Sequence, residues 1–514
     1  MKRILLLCFA LFTFISYEVM AQRTVSGKIT DETGEALPGV NVLIKGTTTG
    51  TQTDLDGNFQ VSVDDGATLV FSYVGFETQE IEVGARTTID ITMGGAIELQ
   101  EVVVTSYGGI EKEAKSLGYS VGTVSNEDLV GKARDANVVN SLAGKVAGVN
   151  IISASGIPGG GSRIEIRGQA SLNTADENQP LFVVDGVPIF NSNPRVSGNG
   201  TTGVIQGTVD TGNAAADINP DDIESVNILR GGAAAALYGS RAKDGVVIIT
   251  TKRAKKGKAS ITINSSTRFD TPFRLPDYQN EYAPGDFGKY LLDSRERPLE
   301  QLNGWGPRIE GQIQPDFRGE MISLTSQKDN VEDFYETGLT LINSASFSNG
   351  GEFGDVRVSI ANTRQTGILP NSELVRYNVG LSMGTRLMEN LETRINVNYV
   401  DTETNGIPIQ GGNDVNAIGG IIPLLGRTVD VDVLEEFIDP ETGQQIPLTE
   451  SSNNPYFIVN RNTNSQKRER IFGSFELTYG ILDNLSITAR QGLDYFNNVV
   501  QRKVYSGTLG LTTN

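Results

Sequence analysis

The sequence predicts a mainly β protein: a small N-terminal β-sandwich, an α+β domain, and then about seven strands of an antiparallel β-barrel that spans a membrane. Three observations predict this. From Lys258 onward the chain alternates apolar and polar residues with period two, in repeated long segments. After the first 21 residues, no stretch approaches the roughly 20 consecutive apolar residues of a membrane helix. Only helices and closed barrels satisfy every backbone group in lipid, so a membrane-embedded form of this chain must be a barrel.

The chain begins as a secreted one. Lys2 and Arg3 precede the apolar run Ile4 to Ile15, and Val19-Met20-Ala21 supplies small-residue cleavage chemistry, so residues 1–21 read as a signal peptide. Cys8 lies inside that run without the small neighbours of a lipid-attachment site. It is the only cysteine, so the mature chain has neither disulfides nor thiolate metal sites. Histidine is absent, which removes Ser-His-Asp triads and histidine zinc sites. A formal charge of −19 repels nucleic-acid phosphates. No catalytic residue, metal or cofactor is expected, and the chain reads as a non-enzyme.

Residues 22–95 read as the sandwich. Strands are expected at Val25–Thr30, Val40–Lys45, Phe59–Val63, Leu69–Val74, Ile81–Val83 and Thr88–Met93, separated by Gly and Asp turns. Asp54, Asp56 and Asn58 invite a calcium reading. Phe59 stands where a calcium loop needs glycine and Asp65 where it prefers glutamate, so a structural turn is the better reading.

Residues 96–124 read as a linker around Glu98–Thr105, a short apolar β-prone segment flanked by Gly94-Gly95 and Gly108-Gly109. Such a segment either waits for a partner's sheet edge or is an ordinary strand of the next domain.

Residues 125–253 read as a second non-membrane unit, and Asp222–Lys252 is its most legible part. Ser225–Leu229 is a short strand broken by Arg230-Gly231-Gly232. Ala233–Leu237 has high helix propensity and ends at Gly239. Asp244-Gly245 is a turn pair, and the β-branched run Val246–Thr251 suits a strand buried on both faces. Upstream, Asp135 is expected to cap a helix through Ala147, with Val138, Val139, Leu142 and Val146 on one face. Leu181–Val184 is a strand ending in Asp185-Gly186. Asn191–Asp217 is a long polar connection, and Gly156–Gly161 reads as a turn, since no Lys-Ser/Thr follows it.

Residues 254–514 carry the wall strands: Ala259–Ser265, Leu339–Phe347, Val356–Ile360, Tyr377–Met383, Leu391–Tyr399, Phe475–Tyr479 and Leu485–Tyr495. In Leu391–Tyr399 one face is Leu, Thr, Ile, Val and Tyr; the other is Glu392, Arg394, Asn396 and Asn398. Short connections (348–355, 387–390, 481–484) alternate with longer ones (268–338, 361–376, 402–467), as outer-membrane barrels alternate periplasmic turns with extracellular loops. Plugged barrels of this kind have roughly 22 strands. With about seven here and no aromatic C-terminus, the sequence reads as C-terminally truncated.

The segment VSGKITDETGEALPGVNVLIKGTTTGTQTDLDGNFQV resembles the carboxypeptidase regulatory-like domain, a non-catalytic module. LRGGAAAALYGSRAKDGVVIITTK, PLFVVDGVPIF and SRIEIRG resemble the plug of TonB-dependent outer-membrane transporters. Together with LQEVVVTSYG, the combination is similar to the SusC/RagA branch. That resemblance implies that Glu101, Val102, Val103, Val104 and Thr105 are the energy-coupling TonB box, which favours the partner-edge reading of this segment. It implies that Arg167, Gly168, Asp185, Gly186, Arg230, Gly231, Tyr238, Gly239 and Gly245 are structural parts of a movable gate. It further implies an outer-membrane location with the N-terminal domain in the periplasm, and TonB with its ExbB/ExbD energising complex as partner. A SusD-like surface lipoprotein would form the lid, and the cargo would be an oligosaccharide or peptide.

The expected function is therefore TonB-dependent active import. A non-transporting receptor or adhesin on the same barrel is the alternative, and a secreted enzyme is disfavoured by the missing site chemistry. Loops 191–217 and 430–439 and Trp305 are expected to face outward. The Trp305 indole either stacks on a sugar ring or, as the favoured reading, anchors its loop. Residues 252–258 are expected to lead from plug to wall.

Overall fold

The computed structural model describes residues 23–93, 103–105, 111–113 and 121–509, with internal gaps at 32–33, 48, 65, 74–75, 77, 132–133, 154, 169–177, 192–195, 198–207, 258, 295–303, 411–415 and 483. It is mainly β and divides into two compact units, Met1–Val103 and Val104–Asn514.

The first unit is a sandwich of two sheets. One runs Asn58–Val63, Arg23–Thr30, Ile91–Thr92; the other runs Gly50–Gln52, Asn41–Ile44, Thr68–Ser72, Gln79–Glu82. Alternation decides which side chains face inward: Phe59, Val61 and Val63 are buried while Asn58, Gln60 and Ser62 are exposed. They meet Val25, Ile29, Leu69 and Phe71 in one core, with Phe59 edge-on to Phe71 at 5.4 Å. Each such side chain stabilises the fold by about 1.5–3 kcal/mol through burial. The Asp54–Asn58 turn is built as a local one. The Asp54 carboxylate accepts from the backbone N–H of Asp56 (3.0 Å) and of Asn58 (2.8 Å). The Asn58 N–H holds that carboxyl below its usual range.

The second unit begins with a plug. Its five-stranded sheet has the order Val121–Ser125, Ile223–Leu229, Val246–Thr251, Leu181–Val184, Val187–Ile189. Neighbours are antiparallel except Leu181–Val184, which lies parallel to Val246–Thr251. Val246, Val247, Ile248 and Ile249 are all buried, as a two-sided strand requires. The strand–turn–helix–strand reading of 222–252 holds, with the helix at Gly232–Tyr238.

The helix expected over 135–147 does not form. In its place are turns and one short 3-10 segment, Asn140–Leu142. The Asp135 side chain does accept a backbone N–H, that of Asn137 (2.8 Å), but it closes a single turn. Asn137 repeats the device on Val139 N–H (3.1 Å), and Ala143 is already extended with ψ 128°. Side chains that bond nearby backbone compete with helix, and a β-branched pair adds little propensity against them. Val138, Val139, Leu142 and Val146 are nonetheless buried in the plug core, so the apolar pattern set burial without setting conformation.

The wall is one seven-stranded antiparallel sheet in chain order: Ser260–Asp270, Gly338–Gly350, Gly354–Thr366, Glu373–Met388, Leu391–Asn405, Asn464–Leu482 and Leu485–Arg502. Every strand is longer than its alternating stretch, because backbone pairing continues past the region where the outer face is apolar. Connections at one end shrink to residues 351–353, 389–390 and 483–484; at the other they are 271–337, 367–372 and 406–463. The outer face is exposed and apolar: Ile261, Ile263, Val358, Ile360, Tyr377, Val379, Leu381, Tyr399, Leu493 and Tyr495 all project from it. The opposite face buries Ser344, Ser359, Thr363, Asn378, Ser382, Asn396 and Thr402. Exposed apolar strands over a polar interior are what a lipid-facing wall needs. Among the described residues no helix is long and apolar enough to cross a membrane.

The two long connections are not plain loops. They hold short helices at Asn330–Asp333, Val431–Leu434 and Pro455–Arg461. These share a core of their own with Phe317, Phe334, Ile421, Leu425 and Phe457. Within it, burial and the nearby Glu435 and Asp432 carboxylates push the Tyr456 hydroxyl up to about 12.

Candidate coupling segment and plug–wall interface

Of the expected coupling segment, Glu101 and Val102 lie outside the described residues. Val103–Thr105 is a strand, and it pairs with Glu111–Glu113 in a sheet of two. Each strand of a two-stranded sheet has one edge unpaired within that sheet, which is the geometry that strand addition uses. Next along the chain comes Val121–Ser125, itself the edge strand of the plug sheet.

The plug motif residues fall at three turns. Arg167 (φ 61°) and Gly168 (φ 90°) end the strand Ser162–Ile166, and Arg167 N–H donates to Gly148 O at 3.0 Å. Asp185 (φ 48°) and Gly186 (φ 80°) turn the hairpin between Leu181–Val184 and Val187–Ile189. The Asp185 carboxylate clamps Thr251, accepting from its N–H (2.9 Å) and its hydroxyl (2.7 Å). Arg230 donates from Nη1 to Ala147 O at 2.7 Å, tying the helix turn to the segment that failed to become a helix. Gly231 and Gly239 border the helix Gly232–Tyr238, and Tyr238 packs against the cluster of Val183, Leu229 and Val246. Gly245 has φ 102°, and a Cβ there would lie 2.7 Å from Ile166 Cδ1, so only glycine fits. Arg167, Gly231 and Gly245 thus gather at one end of the plug sheet, whereas Asp185-Gly186 turn at its other end, beside Thr251.

The strongest chemistry lies where the plug meets the wall. The plug segment Asn213–Asp222 carries three buried aspartates, each met by arginine. Asp217, fully buried, accepts from Arg468 at 2.5 Å and from Arg470 at 3.2 Å. Arg470 also bonds Asp494 at 2.8 Å, and Asp494 accepts the N–H of Phe190 at 2.9 Å. Asp222 takes Arg357 (2.7 Å) and the Ser359 hydroxyl (2.9 Å). Asp221 takes Arg134 (3.1 Å) and the Ser344 hydroxyl (2.5 Å). Arg376 donates to two plug carbonyls, Ala136 O (2.8 Å) and Ala216 O (2.6 Å). Buried charges persist only when paired and hydrogen-bonded, and removing one partner of such a pair costs about 3–5 kcal/mol. The plug is therefore fixed to the wall by charge and also by apolar packing, since wall residues Val400 and Phe472 enter the plug core.

None of Asp217, Asp221, Asp222, Arg357, Arg376, Arg468, Arg470 or Asp494 was singled out from sequence. A signal existed: Arg468 and Arg470 stand two apart on one face of a strand, and the acidic Asp217–Asp222 stretch ends the long polar connection. Trp305 corrects the favoured reading. It is 70% exposed, so it does not anchor its loop by burial.

Comparison with known proteins decides the family. A CarboxypepD_reg-like domain model matches residues 25–104, and a TonB-dependent Receptor Plug Domain model matches residues 113–246. The chain carries a TonB-dependent receptor plug domain and is similar to TonB-dependent receptors over three quarters of its length. It is 34% identical over 391 residues to the TonB-dependent receptor SusC of Bacteroides thetaiotaomicron, covering 76% of this chain and 35% of that protein. It is 40% identical over 385 residues to the TonB-dependent receptor P39 of Formosa agariphila, covering 74% and 32%. To the receptor P26 of the same organism it is 29% identical over 505 residues, covering 95% and 44%. The chain thus spans less than half the length of these relatives. In fold, the chain matches the RagAB peptide importer in its closed-closed state, with a TM-score of 0.55 and 22% identity over 74% of this chain and 41% of that one. The open-open state of the same importer gives a TM-score of 0.54 over 77% and 42%.

Proposed function

We propose that this receptor imports an oligomeric nutrient, a glycan or a peptide, across the outer membrane by TonB-dependent transport. One observation carries the reading. A plug fastened by buried ion pairs to the polar face of a wall whose outer face is apolar is preceded by the strand Val103–Thr105, which has one edge unpaired within its two-stranded sheet among the described residues. A plug so held needs work to move it. TonB, energised by ExbB/ExbD, adds to the edge at Glu101–Thr105 and supplies that work. The short-turn end of the wall faces the periplasm together with the regulatory-like domain; the long-loop end faces outward, where a SusD-like lipoprotein closes over the cargo. Arg167, Gly168, Asp185, Gly186, Arg230, Gly231, Tyr238, Gly239 and Gly245 give the gate its shape and do not bind cargo.

The test is deletion of Glu101–Thr105 in the full-length protein. Uptake of a labelled oligosaccharide or peptide pool should cease while binding at the cell surface remains. Uptake that survives the deletion overturns the reading.

A further inference from the structure

Wall arginines that reach the plug meet carboxylates there. Arg357 has Asp222, Arg268 has Asp135, and Arg468 and Arg470 share Asp217. Arg376 differs. It is 3% exposed, and among the described residues its bonds go to backbone carbonyls, both from Nη1, to Ala136 O and Ala216 O. Its Nε is buried and has no acceptor. The acids that act on this guanidinium through space, Asp217 and Asp135, are already bonded to other arginines. Sheet register brings no acid to it either. Its cross-strand neighbours are Thr363 and Thr402, and Leu374 and Asn378 flank it on the same face of its own strand. Carbonyls satisfy hydrogen bonds without cancelling charge, and a buried charge without a counter-ion is costly.

Arg376 also lines a cavity of about 450 Å³ between plug residues 135–160 and the wall. That volume falls within the roughly 300–1,000 Å³ typical of ligand sites. Asn137, Asn140, Ser155 and Gln365 give the cavity a polar lining. Arg268 borders it too, but is taken up by Asp135 at 2.9 Å and Asp270 at 3.1 Å. The cavity is therefore bordered by one guanidinium whose charge nothing in its contact shell meets. With Nη1 turned to the plug, the Nε edge is the one left for a two-bond grip on a carboxylate. A singly charged group suits the site best, because Asp135 and Asp270 in the same lining oppose a phosphate dianion.

We infer that Arg376 holds a carboxylate of the cargo in this cavity, so that the protein selects oligomers carrying a free carboxylate, either a hexuronate of a glycan or the C-terminus of a peptide. The inference rests on the import reading and adds a specificity-determining residue to it.

Two substitutions in the full-length protein test this. Gln365 stands diagonally across the strand pair from Arg376, on the same face, since Thr363 is the direct partner. Gln365→Glu therefore gives the cavity a carboxylate of its own and leaves the bonds to Ala136 and Ala216 in place. Arg376→Gln removes the charge and keeps an amide donor for those carbonyls. Binding is measured by calorimetry on the purified protein with an oligosaccharide ending in a hexuronate, its methyl ester, a tripeptide without acidic side chains, and its C-terminal amide. In the parent at least one free acid should bind tenfold or more tighter than its neutral counterpart, and which acid does so names the source of the carboxylate. In Q365E and R376Q that preference should shrink to twofold or less; if R376Q fails to fold, Q365E decides. Equal binding of acid and neutral forms in the parent, a preference that survives in a folded variant, or no binding of any probe overturns the inference. Uptake of the same probes by cells separates it from the import reading. An acid preference in binding without uptake overturns import and leaves the site, whereas uptake without an acid preference leaves import and overturns the site.

Discussion

Asp217 and Arg470 form an ion pair at 3.2 Å between plug and wall, with side-chain exposures of 0% and 1%. The carboxylate is shared with Arg468, and the arginine with Asp494, so two positive and two negative groups close on each other. Replacing Asp217 by Asn leaves two guanidinium groups facing one carboxylate. The substitution should loosen the plug by about 3–5 kcal/mol. Limited proteolysis in mild denaturant measures it: release of plug fragments should occur at lower denaturant in D217N than in the parent. An unchanged profile would show that the pair holds nothing.

Gly245→Ala tests the plug turn. The position combines φ 102° with a side-chain site already filled by Ile166 Cδ1. Strain and crowding together should cost about 1–3 kcal/mol. Thermal unfolding of the purified protein should show a lower midpoint, whereas Gly443→Ala has positive φ but open space around it and should cost less.

The Asp54 turn should respond to acid. The Asn58 N–H, and less strongly its side chain and the Asp56 N–H, depress the folded carboxyl relative to its ordinary value of 3.8. A group depressed in the folded state contributes stability above its unfolded pKa, and loses it as pH falls through the folded value. Amide exchange at Asp56 and Asn58 should therefore accelerate below about pH 4, beyond the intrinsic pH trend. Asp54→Asn should remove that added acceleration.

Trp305 is the only tryptophan of these 514 residues. At 70% exposure its fluorescence should be readily quenched by acrylamide in the native protein. Trp305→Ala should change stability by less than about 0.5 kcal/mol, as exposed positions do. A native emission that resists quenching would contradict the exposure.

What the sequence by itself determined was local. Period-two alternation placed all seven wall strands and their lipid-facing residues, because a pleated strand sends alternate side chains to opposite faces. Gly and Asp turns placed the 222–252 unit and six sandwich strands, but not the short strand Gly50–Gln52. Short connections marked one end of the wall. Tertiary structure decided the rest. Residues 135–147 kept their buried valines but gave up the helix, since side chains of Asp135 and Asn137 bonded the backbone first. The long connections acquired a core that no periodicity announces. The plug–wall charges were least legible, because Asp217 and Arg470 stand 253 residues apart. Which aspartate meets which arginine follows from sheet register and from how the plug is seated, and neither is a local property of the chain.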